Sequence, residues 1–308
     1  MKAVHLGYHY VRDGKAPGPN CSPNRLKAHI SALKNEGYEI MICGEVVSRL
    51  RANKPLPEKH ATLSFDDGLS DQYTTVFPIL KEFGVPATFF YITCALEKKL
   101  PPVIGLQILI EKLGAERLEK EILPKVFAGT PYLDLLDHVR YDASGRKPGE
   151  TLEVRRIKWM FNHWPSQAFK RDKLDEIFSE YVGEGSQEKS AESWFMSSGQ
   201  LLEMQKESME IASHSVSHPP FDVSGLDEIR TEAVLSQKQL ADVIGNPVRT
   251  FAWTFGGKFN EKTRKVLAGV YDSSWNFFST LKAIPENAYS DLSDIPRMHE
   301  QVFMPEIK

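Results

Sequence analysis

The stretch LSFDDGLSD (Leu63–Asp71) begins as an apolar run and leads into two adjacent carboxylates, Asp66 and Asp67. Like charges repel each other, so a folded chain needs a reason to place both acids directly after a predicted strand. An Asp-Gly pair after an apolar run is a common hairpin signal, and this interpretation is favoured when the stretch is taken alone. The alternative is a metal site in which one acid is a ligand and the other is a base.

Predicted strands and helices alternate around this stretch. The segments Ala3–Tyr10, His60–Phe65 and Pro86–Thr93 are apolar and rich in β-prone residues, which predicts three strands. Helical spacing of apolar residues predicts one helix after Ser22 and another over Val76–Phe83. The order β-α-β-α-β is typical of parallel strands joined by crossover helices.

The alternation stops at about residue 95 and resumes at about residue 195. The intervening part is rich in Leu, Glu, Lys and Arg at helical spacing, which predicts a mostly helical insertion. After it, strands are predicted over Met209–Ala212 and Thr250–Trp253, with a helix over Leu226–Ile244 between them. We therefore predict a single α/β domain over residues 1–308 that is interrupted once, at about residues 95–195.

The composition is that of an ordinary soluble globular protein, with 308 residues, 41% of them hydrophobic and 26% charged. The formal net charge is −3 and there is no long basic run, which argues against nucleic acid as the main partner. Cys21, Cys43 and Cys94 are too few and too scattered for a disulfide framework or a cysteine-built metal site. No stretch is long and apolar enough for a membrane span. The start, MKAVHLGYHY, shows no apolar signal segment, so a cytoplasmic location is expected.

Two histidines directly follow another predicted strand. Met209–Ala212 leads into SHSVSHPP, in which His214 and His218 are four residues apart and so face one side of a turn or helix. Because ligands collect at the carboxyl ends of parallel strands, these imidazoles and the two aspartates can meet at one rim. Two imidazoles and one carboxylate are a usual ligand set for Zn²⁺, which leaves the second carboxylate for proton transfer. A His-x-x-x-His motif alone is more often structural, but both motifs together favour a metal-assisted hydrolase.

Two later segments hold further candidates. In TFAWTFGGKFN (Thr250–Asn260) the predicted strand breaks at residues 254–257, and a glycine turn explains this break locally. The functional alternative is a loop that points backbone N–H groups at a developing oxyanion. DIPRMHEQ (Asp294–Gln301) carries Arg297 and His299 after a proline, although a single late histidine is more often solvated than catalytic.

These segments, in this order, resemble the polysaccharide deacetylase family, also called the NodB-homology family or carbohydrate esterase family 4. YHYV resembles the YHxV of one branch, LSFDDG the TFDDG motif, HSVSH the H-[ST]-x-x-H motif, FAWTFG the FAYPYG motif and IPRM the C-terminal PR segment. The resemblance implies a distorted, incomplete (β/α)7 barrel. It also implies a metal-dependent carbohydrate deacetylase.

The resemblance implies catalytic and metal-binding roles for the residues at matching positions. It implies that Asp66 is the general base and that one divalent ion, most often zinc, is held by Asp67, His214 and His218. Phe255 falls where the family's oxyanion-stabilising backbone N–H lies. The motif is altered here, because Thr254 and Phe255 stand in place of a proline and a tyrosine.

Other roles are less directly implied. The family's usual arginine is absent from the FAWTFG segment, so Arg297 is expected to pair with Asp66. The LxH motif that supplies the general acid in other branches is not clearly present, which leaves His299 and His9 as two candidates for protonating the leaving amine. His9 and Trp253 are also expected to contact the substrate.

The implied reaction is hydrolysis of an N-acetyl group on a sugar, which would be nucleotide-, lipid- or polymer-linked and belong to bacterial surface-polysaccharide synthesis. Alternatives are hydrolysis of an O-acetyl, formyl or non-sugar C–N bond, and a non-catalytic carbohydrate-binding member of the family. Retention of Asp66 argues against the non-catalytic alternative, because this residue is not a ligand. The helical insertion has no chemical signature of its own and is expected to cover the site and shape substrate choice.

Overall fold

The structure is a computed structural model that describes residues 2–130, 151–162, 167–222, 224–256, 259–278 and 281–303. Gly257, part of the predicted oxyanion loop, lies outside the described residues. Among the described residues the strands are β1 Lys2–Tyr8, β2 Tyr10–Val11, β3 Asn20–Cys21, β4 Glu39–Met41, β5 Lys59–Phe65, β6 Thr88–Tyr91, β7 Glu210–Ser213, β8 Thr250–Ala252, β9 Ser273–Phe278 and β10 Ile295–His299. The α-helices are α1 Pro23–Asn35, α2 Cys43–Arg51, α3 Phe77–Phe83, α4 Pro102–Leu113, α5 Ala115–Arg117, α6 Leu123–Val126, α7 Leu152–Asn162, α8 Gln167–Ile177, α9 Ser186–Trp194, α10 Ser198–Lys206, α11 Leu226–Ile244 and α12 Glu261–Ala268. Short 3-10 or π helices lie at Gln72–Val76, Thr93–Glu97, Leu118–Ile122, Phe178–Val182 and Glu300–Val302.

Seven parallel strands form a closed barrel in the order β1, β5, β6, β7, β8, β9 and β10, and β10 pairs again with β1. Strands β1 and β5 pair along their whole length, from Lys2 opposite Lys59 to Tyr8 opposite Phe65. Short strands β2 and β3 form a separate parallel pair. The predicted (β/α)7 barrel is confirmed, and it is incomplete in having seven strands rather than eight.

The barrel is distorted at one edge of β5. Strand β1 pairs along the whole of one edge of β5, so β4 and β6 share the opposite edge. Strand β4 pairs with residues 60–62 of β5, whereas β6 pairs only with Ser64 and Phe65. The ring is therefore closed between β5 and β6 only where the carboxyl end of β5 meets the first two residues of β6. The carboxyl end of β5 is the end where side chains for chemistry are expected.

The chain divides into two compact units, residues 1–97 with 192–308, and residues 98–191. The first unit contains the barrel. In the described part of the second unit the regular elements are helices, and α4 packs closely on α8 where a Cβ on Gly105 would lie 3.4 Å from Leu174. None of the helices in the described ranges is long and apolar enough to cross a membrane.

The inside of the barrel is unusually polar at its amino-terminal end, where four side chains form a continuous hydrogen-bonded chain. The Thr62 hydroxyl lies 3.0 Å from Nδ1 of His5, and Nε2 of His5 lies 2.7 Å from the Tyr289 hydroxyl. The same hydroxyl lies 2.5 Å from Nε2 of His60, whose Nδ1 lies 3.1 Å from the Pro57 carbonyl. Burial, with the nearby His60 ring, lowers the pKa of His5 to about 3, so this chain is built from neutral imidazoles.

A half-buried acidic side chain joins α2 to the barrel at the same end. The Glu210 carboxylate, on β7, accepts hydrogen bonds from the Gly44 backbone N–H at 2.9 Å and from the Thr88 and Thr250 hydroxyls at 2.7 Å each. The residue before α2, Ile42, provides no side-chain cap. Glu210 thus satisfies a free N–H of the first helical turn from across the barrel.

Candidate active site

The candidate catalytic side chains lie in or directly after four barrel strands. Asp66 and Asp67 come directly after β5, and His214 comes directly after β7. Arg297 lies in β10, and His9 follows β1. The predicted meeting of the aspartates and histidines at one rim agrees with these positions.

Asp67, His214 and His218 bring one ligand atom each to a common point, where all three atoms lie within 4.8 Å of one another. Nε2 of His214 is 3.6 Å and Nε2 of His218 is 3.7 Å from Oδ1 of Asp67. This buried oxygen has no hydrogen-bond partner in the described part of the chain. A buried carboxylate oxygen without a donor is costly, and a divalent cation between these atoms would satisfy it. The donor set of two imidazoles and one carboxylate fits zinc or a similar ion.

The orientation of His214 leaves its metal-binding nitrogen free. Its Nδ1–H donates to the Ala252 carbonyl at 2.9 Å, so the lone pair on Nε2 faces Asp67. The His218 backbone N–H donates to the Ser215 hydroxyl at 2.9 Å, and the two imidazole rings meet edge to face at 4.7 Å. A hydrogen bond on the ring therefore orients the His214 imidazole, whereas His218 is held through its backbone.

Burial shifts the protonation equilibria of all three residues toward neutral forms. It lowers the pKa of His214 and lowers that of His218 well below its ordinary value, so both imidazoles are neutral as ligands require. Burial, together with the Asp66 charge, raises the pKa of Asp67 to about 8. A cation held between these atoms would supply the positive charge that keeps Asp67 ionised at neutral pH.

Asp66 is held by a buried bidentate ion pair with Arg297. The two guanidinium nitrogens donate to the two carboxylate oxygens at 2.6 and 2.9 Å, and Nη1 also donates to the Ser64 hydroxyl at 2.9 Å. Burial alone would raise the pKa of Asp66, but the Arg297 charge and hydrogen bonds hold it at about 2. Asp66 is therefore an oriented, ionised carboxylate beside a site for a cation, and the expected pairing with Arg297 is present.

Gln72 is a site residue that the sequence reasoning missed. Its side-chain amide is fully buried and donates to the backbone carbonyls of Asp66, at 2.5 Å, and of His9, at 3.3 Å. Its neighbour Asp71 accepts a hydrogen bond from the Val11 backbone N–H at 3.0 Å. These two side chains join the segment that carries His9 to the aspartate loop, and a glutamine in a polar turn shows no spacing signal for such a role.

The two candidate acids, His9 and His299, both contact one aromatic ring. The Phe277 ring centroid is 5.5 Å from that of His9 and 5.3 Å from that of His299. Nδ1 of His9 is buried without a hydrogen-bond partner among the residues that the structure describes, and burial lowers the pKa of His9 to about 3. Nδ1 of His299 instead contacts the carboxylate of Glu300 and accepts a hydrogen bond from the Gln301 backbone N–H at 3.1 Å.

Phe255 and Trp253, two neighbours in the third motif, have different surroundings. Phe255 has a left-handed backbone, with φ 62°, and its 45% exposed ring lies 4.8 Å from the His218 ring. Trp253 is 1% exposed, stacks on Phe259 at 3.9 Å and donates from its indole N–H to the Ser293 carbonyl. The expected substrate contact of Trp253 is therefore corrected to a packing role. Side chains alternate along a strand, so Trp253 points away from the barrel interior.

Comparisons with known proteins identify one family. The family model described as polysaccharide deacetylase matches residues 53–121 and 181–270. The chain is 36% identical over 88 residues to poly-β-1,6-N-acetyl-D-glucosamine N-deacetylase of Escherichia coli strain K12. These 88 residues are 28% of this chain and 13% of that protein. The chain thus spans about an eighth of the length of this curated relative.

Solved structures share the fold at low sequence identity. The Streptococcus pyogenes deacetylase PplD in complex with acetate gives a TM-score of 0.60 at 17% identity, covering 100% of this chain and 95% of that one. IcaB from Ammonifex degensii gives a TM-score of 0.59 at 17% identity, covering 99% and 93%. At this level of sequence identity the similarity shows a shared fold and nothing more.

Proposed function

Since the chain belongs to the polysaccharide deacetylase family, we propose that it is a metal-dependent hydrolase that removes an N-acetyl group from a sugar of a bacterial surface polysaccharide or its precursor. The observation that carries the proposal is that possible metal ligands and a candidate general base lie together at one rim of the barrel. A buried ligand triad, with an unpartnered Asp67 oxygen among the described residues, adjoins an ionised Asp66 that is not a ligand. The Escherichia coli relative, named for N-deacetylation of a poly-N-acetylglucosamine, supports an acetylated sugar as the substrate class. A cytoplasmic location and a nucleotide- or lipid-linked sugar stay predictions.

The proposed cofactor is one zinc ion held by Asp67, His214 and His218. When bound, it supplies a Lewis acid that polarises the acetyl carbonyl and lowers the pKa of water. Asp66 orients the attacking water and takes its proton, and Arg297 fixes the plane of the Asp66 carboxylate through two hydrogen bonds. The Phe255 backbone N–H is the proposed donor to the oxyanion.

We propose His299 as the group that protonates the leaving amine. An amine leaves poorly without a proton, so an acid is required. His299 has a carboxylate partner, Glu300, against Nδ1, and such a partner orients an imidazole for proton transfer. His9, whose pKa is lowered to about 3, is a poor proton donor at neutral pH and is assigned to substrate contact.

The test combines metal analysis with acetate release. The purified protein and its Asp66→Asn variant are assayed against acetylated nucleotide sugars, poly-β-1,6-N-acetylglucosamine oligomers and chitin oligomers. We expect Asp66→Asn to keep its metal and to lose about 10²- to 10⁴-fold in rate. We expect His214→Ala to lose the metal, and unchanged metal content in that variant would show that the ligand set is wrong. Sugar binding without acetate release by the native protein would instead favour a non-catalytic binding protein.

A further inference from the structure

The loop that follows β7 and ends at His218 has an unusual backbone. Ser215 and His218 both have positive φ angles, 69° and 56°, and neither is a glycine. Left-handed backbone is unfavourable for residues that carry a Cβ, so it persists only where surrounding contacts impose it. Some other part of the molecule must therefore hold this loop.

Contacts from β6 and its following turn hold the loop on its carbonyl side. The backbone N–H of Thr93 donates to the Ser215 carbonyl at 3.1 Å, and that of Cys94 donates to the Val216 carbonyl at 3.0 Å. These bonds leave the N–H groups at the tip of the loop to be satisfied separately, since buried backbone donors are rarely left unpaired.

A single carboxylate on α11 satisfies the tip of the loop. Oε2 of Glu232 accepts from the Val216 N–H at 2.8 Å and from the Ser217 N–H at 2.9 Å. Oε1 accepts from the Ser217 hydroxyl at 2.7 Å. Successive N–H groups beside a left-handed residue form a concave anion-binding site, and here the anion belongs to the protein itself. Hydrogen bonds to an ionised acceptor are the strong ones, which suits a role in imposing a strained loop.

We propose that Glu232 is a positioning residue that sets the 215–218 loop so that His214 and His218 present Nε2 to Asp67 before a metal ion binds. Glu232 bonds to the loop backbone and to Ser217, so it acts on the ligands through the conformation of the loop. The inference rests on the proposed function only in taking the triad to be a metal site.

The test compares Glu232→Ala with Glu232→Gln in the full-length chain after removal of metal. Zn²⁺ affinity is measured by competition with a chromophoric chelator. We expect Glu232→Ala to raise the Kd about 10- to 100-fold, as loss of groups that orient metal ligands does. We expect Glu232→Gln to recover most of this loss, because its amide oxygen can accept from both N–H groups. Glu228→Ala is the matched control, since Glu228 is exposed one turn earlier on α11, and its Kd should match that of the native protein.

A second measurement does not depend on metal. Amide hydrogen exchange of the peptide that covers residues 213–222 is followed in the metal-free proteins, with thermal melting to verify that each variant is folded. We expect faster exchange in this peptide for Glu232→Ala, and native exchange for Glu228→Ala. The proposal would be overturned if a folded Glu232→Ala protein had the same Kd for Zn²⁺ as the native protein, or the same rate of hydrogen exchange in this peptide. If the Kd for Zn²⁺ changes among the variants as expected but neither the native protein nor any variant releases acetate, the positioning role of Glu232 stands and the proposed deacetylation fails.

Discussion

Asp66 and Asp67 are adjacent in sequence and yet have opposite protonation behaviour. The Arg297 guanidinium holds the pKa of Asp66 at about 2, while burial and the Asp66 charge raise that of Asp67 to about 8. Such divergence between neighbouring titratable groups is a feature of sites where acid, base and ligand roles are divided. Arg297 therefore compensates the charge of Asp66, whereas compensation of an ionised Asp67 would come from a cation held with His214 and His218.

At the residue scale, the buried pair of Asp66 and Arg297 can be tested by a double-mutant cycle. Arg297→Met removes the charge and leaves Asp66 buried without compensation, so we expect the free energy of unfolding to fall by about 3–5 kcal/mol. Asp66→Asn together with Arg297→Met should restore most of this loss, because no uncompensated charge remains. Urea denaturation of the metal-free proteins gives these values. Equal losses in the single and double variants would contradict the assignment of the pair.

Two glycines, Gly68 beside this site and Gly84 at the end of α3, provide a matched pair of substitutions. Gly68 has φ 76°, and a Cβ there would lie 2.3 Å from the Tyr91 ring, whereas Gly84 has φ 63° and open space around it. We expect Gly84→Ala to cost about 1–2 kcal/mol of unfolding free energy from backbone strain alone. Gly68→Ala should in addition displace the aspartate loop and weaken Zn²⁺ binding, which the chelator competition measures. Native Zn²⁺ affinity in Gly68→Ala would show that the loop tolerates the clash.

At the element scale, Glu210 is expected to stabilise the attachment of α2 to the barrel. Glu210→Ala removes the acceptor of three hydrogen bonds, so we expect the free energy of unfolding to fall by about 1–3 kcal/mol. Chemical denaturation is the measurement. Glu82→Ala is the control, since it breaks an exposed ion pair with Lys27 and should cost less than about 1 kcal/mol. A loss no larger than that of the control would contradict the role of Glu210.

Sequence patterns predicted the elements well where the signal is local. Alternation of apolar runs with helical spacing predicted the parallel barrel, because this pattern is local. Each motif at a strand end is also local, so the sequence could place Asp67, His214 and His218 at one rim although they are far apart in the chain. Trp253 was assigned wrongly because β8 is a three-residue strand, too short for its pattern to show which side chain faces inward. Gln72 was missed because it bonds to a backbone carbonyl far away in sequence, that of His9. Glu232 was missed because it bonds to backbone N–H groups of the loop that precedes its helix. No spacing rule covers such contacts.

At the scale of the whole molecule, the polar barrel interior predicts a dependence of stability on pH. The pKa of His5 is lowered from 6.5 to about 3, so between these values the unfolded chain binds one more proton at this residue than the folded protein. The free energy of unfolding therefore falls as pH is lowered from about 6.5 toward 3. In His5→Gln this contribution is absent, so the slope should be shallower by up to about 1.4 kcal/mol per pH unit. Urea denaturation at several pH values, without metal, measures both slopes, and parallel slopes would refute the prediction.

The tight register of β5 has a consequence for how the gene for this chain can change. All seven residues of β5 pair with β1, and the left-handed backbone at Asp67, φ 76°, then turns the second carboxylate toward the histidines. Inserting or deleting one codon between Lys59 and Asp67 would exchange the inward and outward faces of the strand and separate both acids from their partners. In a library of single-codon insertions, this segment should thus be among the least permissive of the chain, even where the inserted amino acid is small and apolar.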